Sequence, residues 1–220
     1  MKRITHWGCL LAVLVFVTPP AAAQPIHLLT SSGSGPSGSF GSEGDGTGGY
    51  GFTVGSSPLV VTRLGLWDQG GNGLTESHEV GLWTAGGTLL GSVTVPAGTG
   101  GTLIGQFRYA DLGPSLVLSA GQTYVLGAHY PTPADPFRLD NNTDMPSLFS
   151  GDATYEQPRS NGGFNFPNPT LGTFAYVGPN LEYVVAAVPE PSGLLLAGFG
   201  AMSLLGYHRH RKDRYHVTSG

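Results

Sequence analysis

From Tyr50 onward, apolar and polar positions alternate with a period of two. Tyr50, Phe52 and Val54 fall on one side of an extended segment. Val60, Thr62, Leu64 and Leu66 share one face of the next, and Val61, Arg63, Gly65 and Trp67 share the other. This is the spacing of half-buried strands. The same reading predicts strands over 78–84, 89–95, 103–109, 115–118, 122–130, 173–177 and 181–186. Ala85-Gly86-Gly87, Pro96-Ala97-Gly98 and Ala120-Gly121 supply turn chemistry between them. Away from the two ends of the chain no stretch carries the 3.6-residue helical period. Many short strands at this rhythm predict an all-β domain over 50–187, an antiparallel β-sandwich of jelly-roll or immunoglobulin-like type, and argue against an open α/β fold.

Two segments interrupt the pattern. Residues 24–49 are mostly Gly and Ser from Thr30 on, with Phe40 the one candidate anchor, and read as a flexible leader. Two G-x-G-x-x-G spacings occur there, but neither follows a strand or opens a helix, so a dinucleotide site lacks its context. Pro131 to Leu171 is rich in Pro, Asn, Asp and aromatics. It reads as a long irregular loop, where ordinary connections run ~4 to 6 residues.

The ends carry addresses. Lys2 and Arg3, the apolar run Gly8 to Val17 and Ala21-Ala22-Ala23 have the three parts of a signal peptide, 1–23, with the mature chain beginning at Gln24. Cys9, the sole cysteine, leaves with it, so the mature domain must be held by its core, without disulfides. At the other end, Val188-Pro189-Glu190-Pro191 precedes a helix-compatible apolar span, 193–207. A basic tail, His208-Arg209-His210-Arg211-Lys212-Asp213-Arg214, follows, and 215–220 close the chain. The two prolines fix φ and remove backbone donors, so a helix begins no earlier than Ser192, a suitable N-cap. At ~1.5 Å per residue the span covers about 22 to 25 Å, short of the ~30 Å hydrocarbon core, and the basic tail fits the cytoplasmic side of an inner membrane.

The order Pro-Glu-Pro, hydrophobic span, basic end over 188–214 resembles the PEP-CTERM sorting signal of exported bacterial proteins. The resemblance implies export through the inner membrane of a Gram-negative type cell, transient anchoring, and cutting near Pro189-Glu190-Pro191 by an exosortase-type membrane peptidase. The block from Trp67 to Tyr130 is similar to ectodomains found ahead of such anchors. It carries Leu66-Trp67-Asp68, His78-Glu79-Val80-Gly81-Leu82-Trp83 and Ala120-Gly121-Gln122-Thr123-Tyr124. That likeness implies a sandwich in an extracellular setting and transfers no catalytic residue.

Charge narrows the partners. Between the two ends, twelve carboxylates face four arginines and no lysine, a formal charge of −8 that the whole-chain value of −4 conceals. Nucleic acid and anionic membranes need a basic footprint, so neither is expected to bind this domain. Cations and neutral sugars remain compatible with it.

Two oxygen-rich clusters are candidate Ca²⁺ sites: Asp68, Asn72 and Glu76 in a glycine-rich loop, and Asp140, Asn142 and Asp144 at alternate positions. The second departs from a Ca²⁺ loop, with Met145 where the turn glycine belongs and Gly151 where a closing carboxylate belongs. Solvated turns account for both equally well. Tyr155, Phe164 and Phe166 are candidate ring-stacking residues for sugars, or else a cover folded onto the sandwich. His78 and His129 sit in expected strands beside available acids, but G-x-S-x-G and H-E-x-x-H are both absent from the sequence. The sequence therefore points to a non-enzymatic surface or exopolysaccharide-matrix protein without a resident cofactor. A carbohydrate-binding module and a hydrolase on a sandwich scaffold are the alternatives.

Overall fold

The computed structural model of the protein describes residues 23–40, 44–170 and 173–186. The signal peptide short of Ala23, the sorting motif Val188 to Pro191, the apolar span 193–207 and the basic tail lie outside the described residues. Among the described residues no helix is long and apolar enough to cross a membrane.

In chain order the strands are β1 (Ile26–His27), β2 (Ser37–Gly38), β3 (Gly46–Val54), β4 (Leu59–Trp67), β5 (His78–Thr84), β6 (Leu89–Val95) and β7 (Thr102–Ile104). They continue as β8 (Phe107–Leu118), β9 (Thr123–Tyr130), β10 (Phe137–Asn141), β11 (Ala153–Gly162), β12 (Asn168–Pro169), β13 (Phe174–Val177) and β14 (Pro179–Val185). A single helical turn, α1 (Met145–Leu148), lies between β10 and β11. Every pairing is antiparallel. One sheet runs β1-β14-β4-β8-β7 and a second β12-β11-β3-β9-β5-β6, while β13-β10-β2 form a small third. The protein is thus all-β with a sandwich-like arrangement.

The core is built from the inward positions of both large sheets. Tyr50, Phe52 and Val54 of β3, Val80 and Leu82 of β5 and Leu126 and Ala128 of β9 are buried in one cluster with Leu64 and Leu66 of β4 and Leu181 and Tyr183 of β14. Tyr50 donates from Oη to the Pro179 carbonyl at 2.9 Å and so satisfies its hydroxyl deep in that core. Phe40, Tyr130, Phe137 and Tyr176 interlock at centroid distances of 4.9 to 5.8 Å and close one part of it beside the small sheet.

Three departures from the sequence expectation have local causes. In β4 the core residues are Leu59 and Val61, then Leu64 and Leu66, so the expected single face Val60-Thr62-Leu64-Leu66 is wrong for its first half. The pairing with β14 steps from Arg63↔Glu182 to Val61↔Tyr183, leaving Thr62 as an extra residue that flips the alternation. The expected loop from Pro131 to Leu171 contains β10, α1, β11 and β12, and β11 pairs along the whole of β3. A register irregularity between Tyr155 and Gln157 breaks its period, and Pro158 sits inside it. The leader 24–49 is not a loose tether over its described residues. β1 pairs with β14, Leu28 and Leu29 are fully buried, and β2 pairs with β10. Its glycines permit close backbone approach. Gly33 takes a φ of +71°, and a Cβ there would collide with Asp140 Oδ2.

Trp83 marks a second, outer packing layer. It points away from Leu82 onto the opposite face of the six-stranded sheet, where Gly81 and Gly127 pair side by side and leave room for the indole. Phe164 and Phe166 lie over it at centroid distances of 5.4 and 6.5 Å, which brings Trp83 to 3% exposure.

Candidate functional site

Three polar assemblies emerge from this packing. Two are internal, and each uses charged groups that the sequence offered as ligands or catalysts.

The first assembly is a buried ion pair. Arg108 on β8 donates from Nε to Asp68 Oδ2 at 2.6 Å, and its remaining donors reach the carbonyls of Gly101 and Gly71. Asp68 Oδ2 also accepts from the Gly73 amide at 3.0 Å. The loop after β4 is thus folded around the guanidinium. Asp68 and Asn72 line a pit of ≈ 190 Å³ together with Asp135, while Glu76 turns away and accepts from Thr132 through both amide and hydroxyl.

The second assembly surrounds His78, which is fully buried. Nδ1 meets the His129 carbonyl at 2.8 Å, and Nε2 meets Asp135 Oδ2 at 2.9 Å. A carbonyl can only accept, so Nδ1 carries a proton, and the carboxylate takes the hydrogen of Nε2. Asp135 also accepts from the amides of Thr75 and Glu76. Burial alone would raise its carboxyl, but the hydrogen bonds from His78, Thr75 and Glu76 outweigh burial and hold its pKa below the ordinary value. Glu76, His78 and Asp135 each offer one ligand atom within 4.8 Å of the others. A cation there would have to take the place of the His78 to Asp135 hydrogen bond. The pair also sets a pH dependence. Asp135 has a lower pKa folded than unfolded, where it titrates at ~3.9, so its stabilisation is present above that pH and is lost as pH falls through the folded value. Urea midpoints are expected to fall as the pH is taken below about 4, and Asp135→Asn is expected to start lower and show a flatter acid limb.

The third assembly is open to solvent. After β1 the chain forms a strap, residues 28–34, that crosses between the turn joining β7 to β8 and the β10 to α1 corner. On one side lies a cleft of ≈ 390 Å³ lined by His27, Ser31, Ser32, Gln106, Phe107 and Tyr109, among others. On the other lies a more open depression of ≈ 480 Å³ with Ser34, Asp140, Asp144 and Ser147 in its wall, and Ser31 and Gly33 border both. In the cleft, Gln106 Oε1 accepts from Ser32 Oγ at 2.7 Å and from Trp67 Nε1 at 3.1 Å. The indole can only donate, which fixes the amide orientation and leaves Nε2 as the group offered outward. His27 rests on Tyr109 with centroids 5.0 Å apart, and its Nδ1 is enclosed without a partner among the described residues. Burial lowers the His27 pKa, against the opposing pull of Glu182 and with the help of Arg63. The ring is therefore neutral at pH 7 with its hydrogen on Nε2, since an enclosed N–H without an acceptor is the costlier tautomer.

The proposed ligand sets are thereby redistributed. Asp140 accepts from the amides of Ser34 and Asn141, Asn142 accepts from Tyr155 Oη at 2.8 Å, and Asp144 is exposed at the start of α1. Asp140 and Asp144 share a depression, whereas Asn142 is engaged with Tyr155. Of the candidate stacking rings, Tyr155 packs on Phe149, and Phe164 and Phe166 cover Trp83. His27 and Gln106 escaped the sequence reading, because one sits in the apparent leader and the other in a two-residue turn. No periodicity marks either.

The model of a family described as a domain of unknown function (DUF4082) matches residues 41–180. The chain belongs to that family. The DUF4082 domain spans strands β3 to β13 and reaches into β14, while β1, β2 and the strap precede its match. The PEP-CTERM protein-sorting motif matches residues 187–212. No curated protein matches the chain. The motif indicates export, sorting at the membrane toward the cell surface, and processing by an exosortase.

Proposed function

We propose that this protein is a non-enzymatic component of the cell surface or exopolysaccharide matrix of a Gram-negative type bacterium. In this reading the signal peptide 1–23 directs export, and the span 193–207 anchors the chain transiently as a transmembrane helix. An exosortase-type peptidase then cuts near Pro189-Glu190-Pro191 and releases the sandwich, of jelly-roll or immunoglobulin-like type. The observation that carries the reading is the position of the sorting motif. It begins at 187, while β14 ends at Val185, so one cut there frees the whole folded domain with almost no spacer. A non-catalytic role is supported by the state of the acid and base groups. His78 has both nitrogens engaged and no exposure, His129 is bound to Asp45 at 3.0 Å, and Asp68 is committed to Arg108.

In a host with an exosortase, Glu190→Ala is expected to leave the full-length protein in the membrane fraction, where the wild type appears shortened in the medium or matrix. Immunoblots of the fractions decide it, and maturation of the variant at the normal rate overturns the sorting assignment. A resident cation is not part of the proposal, since the carboxylates of both candidate loops already hold protein donors, Asp144 excepted. Thermal melts with Ca²⁺, Mg²⁺ and chelator are expected to coincide, whereas binding at tenfold above Kd would add about 1.4 kcal/mol.

A further inference from the structure

We propose that the two depressions flanking the strap form one groove for an uncharged polysaccharide. This rests on the matrix reading and assigns that reading a ligand class and a site. The volumes, ≈ 390 and ≈ 480 Å³, each fall within the ~300–1,000 Å³ of small-molecule sites. Ser31 and Gly33 border both, so a chain that fills the two depressions crosses the strap over these two small residues.

The two halves are chemically complementary to a sugar. The first half offers Gln106 Nε2 and His27 Nε2 as donors, with Phe107 and Tyr109 supplying apolar surface in the same lining. The second offers acceptors, Asp140 and Asp144, with the Ser147 hydroxyl beside them. A polyol both donates and accepts at every carbon that bears a hydroxyl, so it can satisfy both halves. An anionic glycan cannot. Neither depression is lined by a lysine or arginine, His27 is neutral, and the domain carries −8.

Among the described residues Nδ1 of His27 is enclosed and unpartnered, which leaves Nε2 as the ring nitrogen that can meet a ligand in the cleft. With the ring hydrogen on Nε2, that nitrogen is a donor. The strap itself is held rigidly. Leu29 N and O are bound by the Asn180 side chain at 2.9 and 3.0 Å, and Thr30 bonds the Leu148 carbonyl through both its amide and its hydroxyl. A groove wall fixed in this way loses little entropy on binding.

The test is calorimetric titration of the full chain in detergent micelles with cellohexaose, maltohexaose and mannohexaose, and with an oligogalacturonate of equal length. At least one neutral oligosaccharide is expected to bind, and the oligogalacturonate is not. His27→Phe keeps the ring packing on Tyr109 but removes the donor, and is expected to weaken binding about fivefold with an unchanged melting temperature. Asp144→Ala, at an exposed position, is expected to weaken it similarly. Failure of all three neutral probes with folded wild type overturns the groove, as does equal binding of the galacturonate or wild-type affinity in both variants. If the released protein still fractionates with the matrix polysaccharide in that event, the proposed function stands and only the groove falls.

Discussion

Asp68→Ala is expected to lower the stability of the domain by about 3 to 5 kcal/mol, the usual consequence of removing one member of a buried ion pair. Asp68 is 1% exposed and Arg108 3%, so water cannot take over the guanidinium once its partner has gone. Two donors of Arg108 would remain, on the carbonyls of Gly71 and Gly101, while the loop after β4 loses its anchor, because the Gly73 amide also depends on Asp68 Oδ2. Arg108→Ala is expected to cost as much by stranding the carboxylate. Exchanging both partners for apolar residues, as in Asp68→Leu with Arg108→Met, should recover a good part of the loss, since the desolvation of both charges disappears together. Chemical denaturation of the two single variants and the double variant measures this directly. Single variants within about 0.5 kcal/mol of wild type would mean that the pair is not buried in solution.

Trp83→Ala is the second large effect, expected at about 3 to 5 kcal/mol. The indole is seated on paired glycines and covered by two phenylalanines, so truncation leaves a void that the rigid sheet beneath cannot collapse into. Its loss also uncovers Phe164 and Phe166, whose enclosure depends on the ring below. Trp83→Phe should retain much of the stability. An unchanged denaturation midpoint for the alanine variant would place the outer layer in solvent. Reductant should leave every midpoint unmoved, since Cys9 belongs to the expected signal peptide and the domain holds no other sulfhydryl.

Where period-two alternation was unbroken, the sequence revealed the strand. β5 and β6 run over the expected 78–84 and 89–95, and β9 and β13 differ from expectation by one residue at one end. Alternation fails where an inserted residue changes its phase. Thr62 does this in β4, and residues Leu112 to Ser115 bulge out of β8 between Asp111 and Leu116, so one strand was read as two. It fails again where glycine and polar residues pair by backbone alone, as in β2 and in most of β11, because backbone pairing leaves no trace in side-chain polarity. The polar assemblies were the least legible. Asp68, Glu76 and His78 stood close enough in sequence to suggest a cluster, but their partners Arg108, Thr132 and Asp135 lie 40 to 57 residues away and were brought together by the sandwich. For the groove, the strap looked like a tether because its hydroxyls and glycines resemble linker composition. Only the burial of Leu28 and Leu29 turns it into a wall.

The pairing of β1 with β14 has a consequence for the order in which the sheet can form. The first described strand finds its partner only in the last described strand before the sorting motif, Ile26 opposite Tyr183 and His27 opposite Glu182. β14 also fills the gap between β1 and β4 and contributes Leu181 and Tyr183 to the core. The five-stranded sheet therefore cannot be completed until nearly the whole domain, through Val185, is available to it. Completion of the clasp thus waits for a strand that ends just before the sorting motif begins, so a chain truncated ahead of that motif by even one strand would leave β1 without its partner.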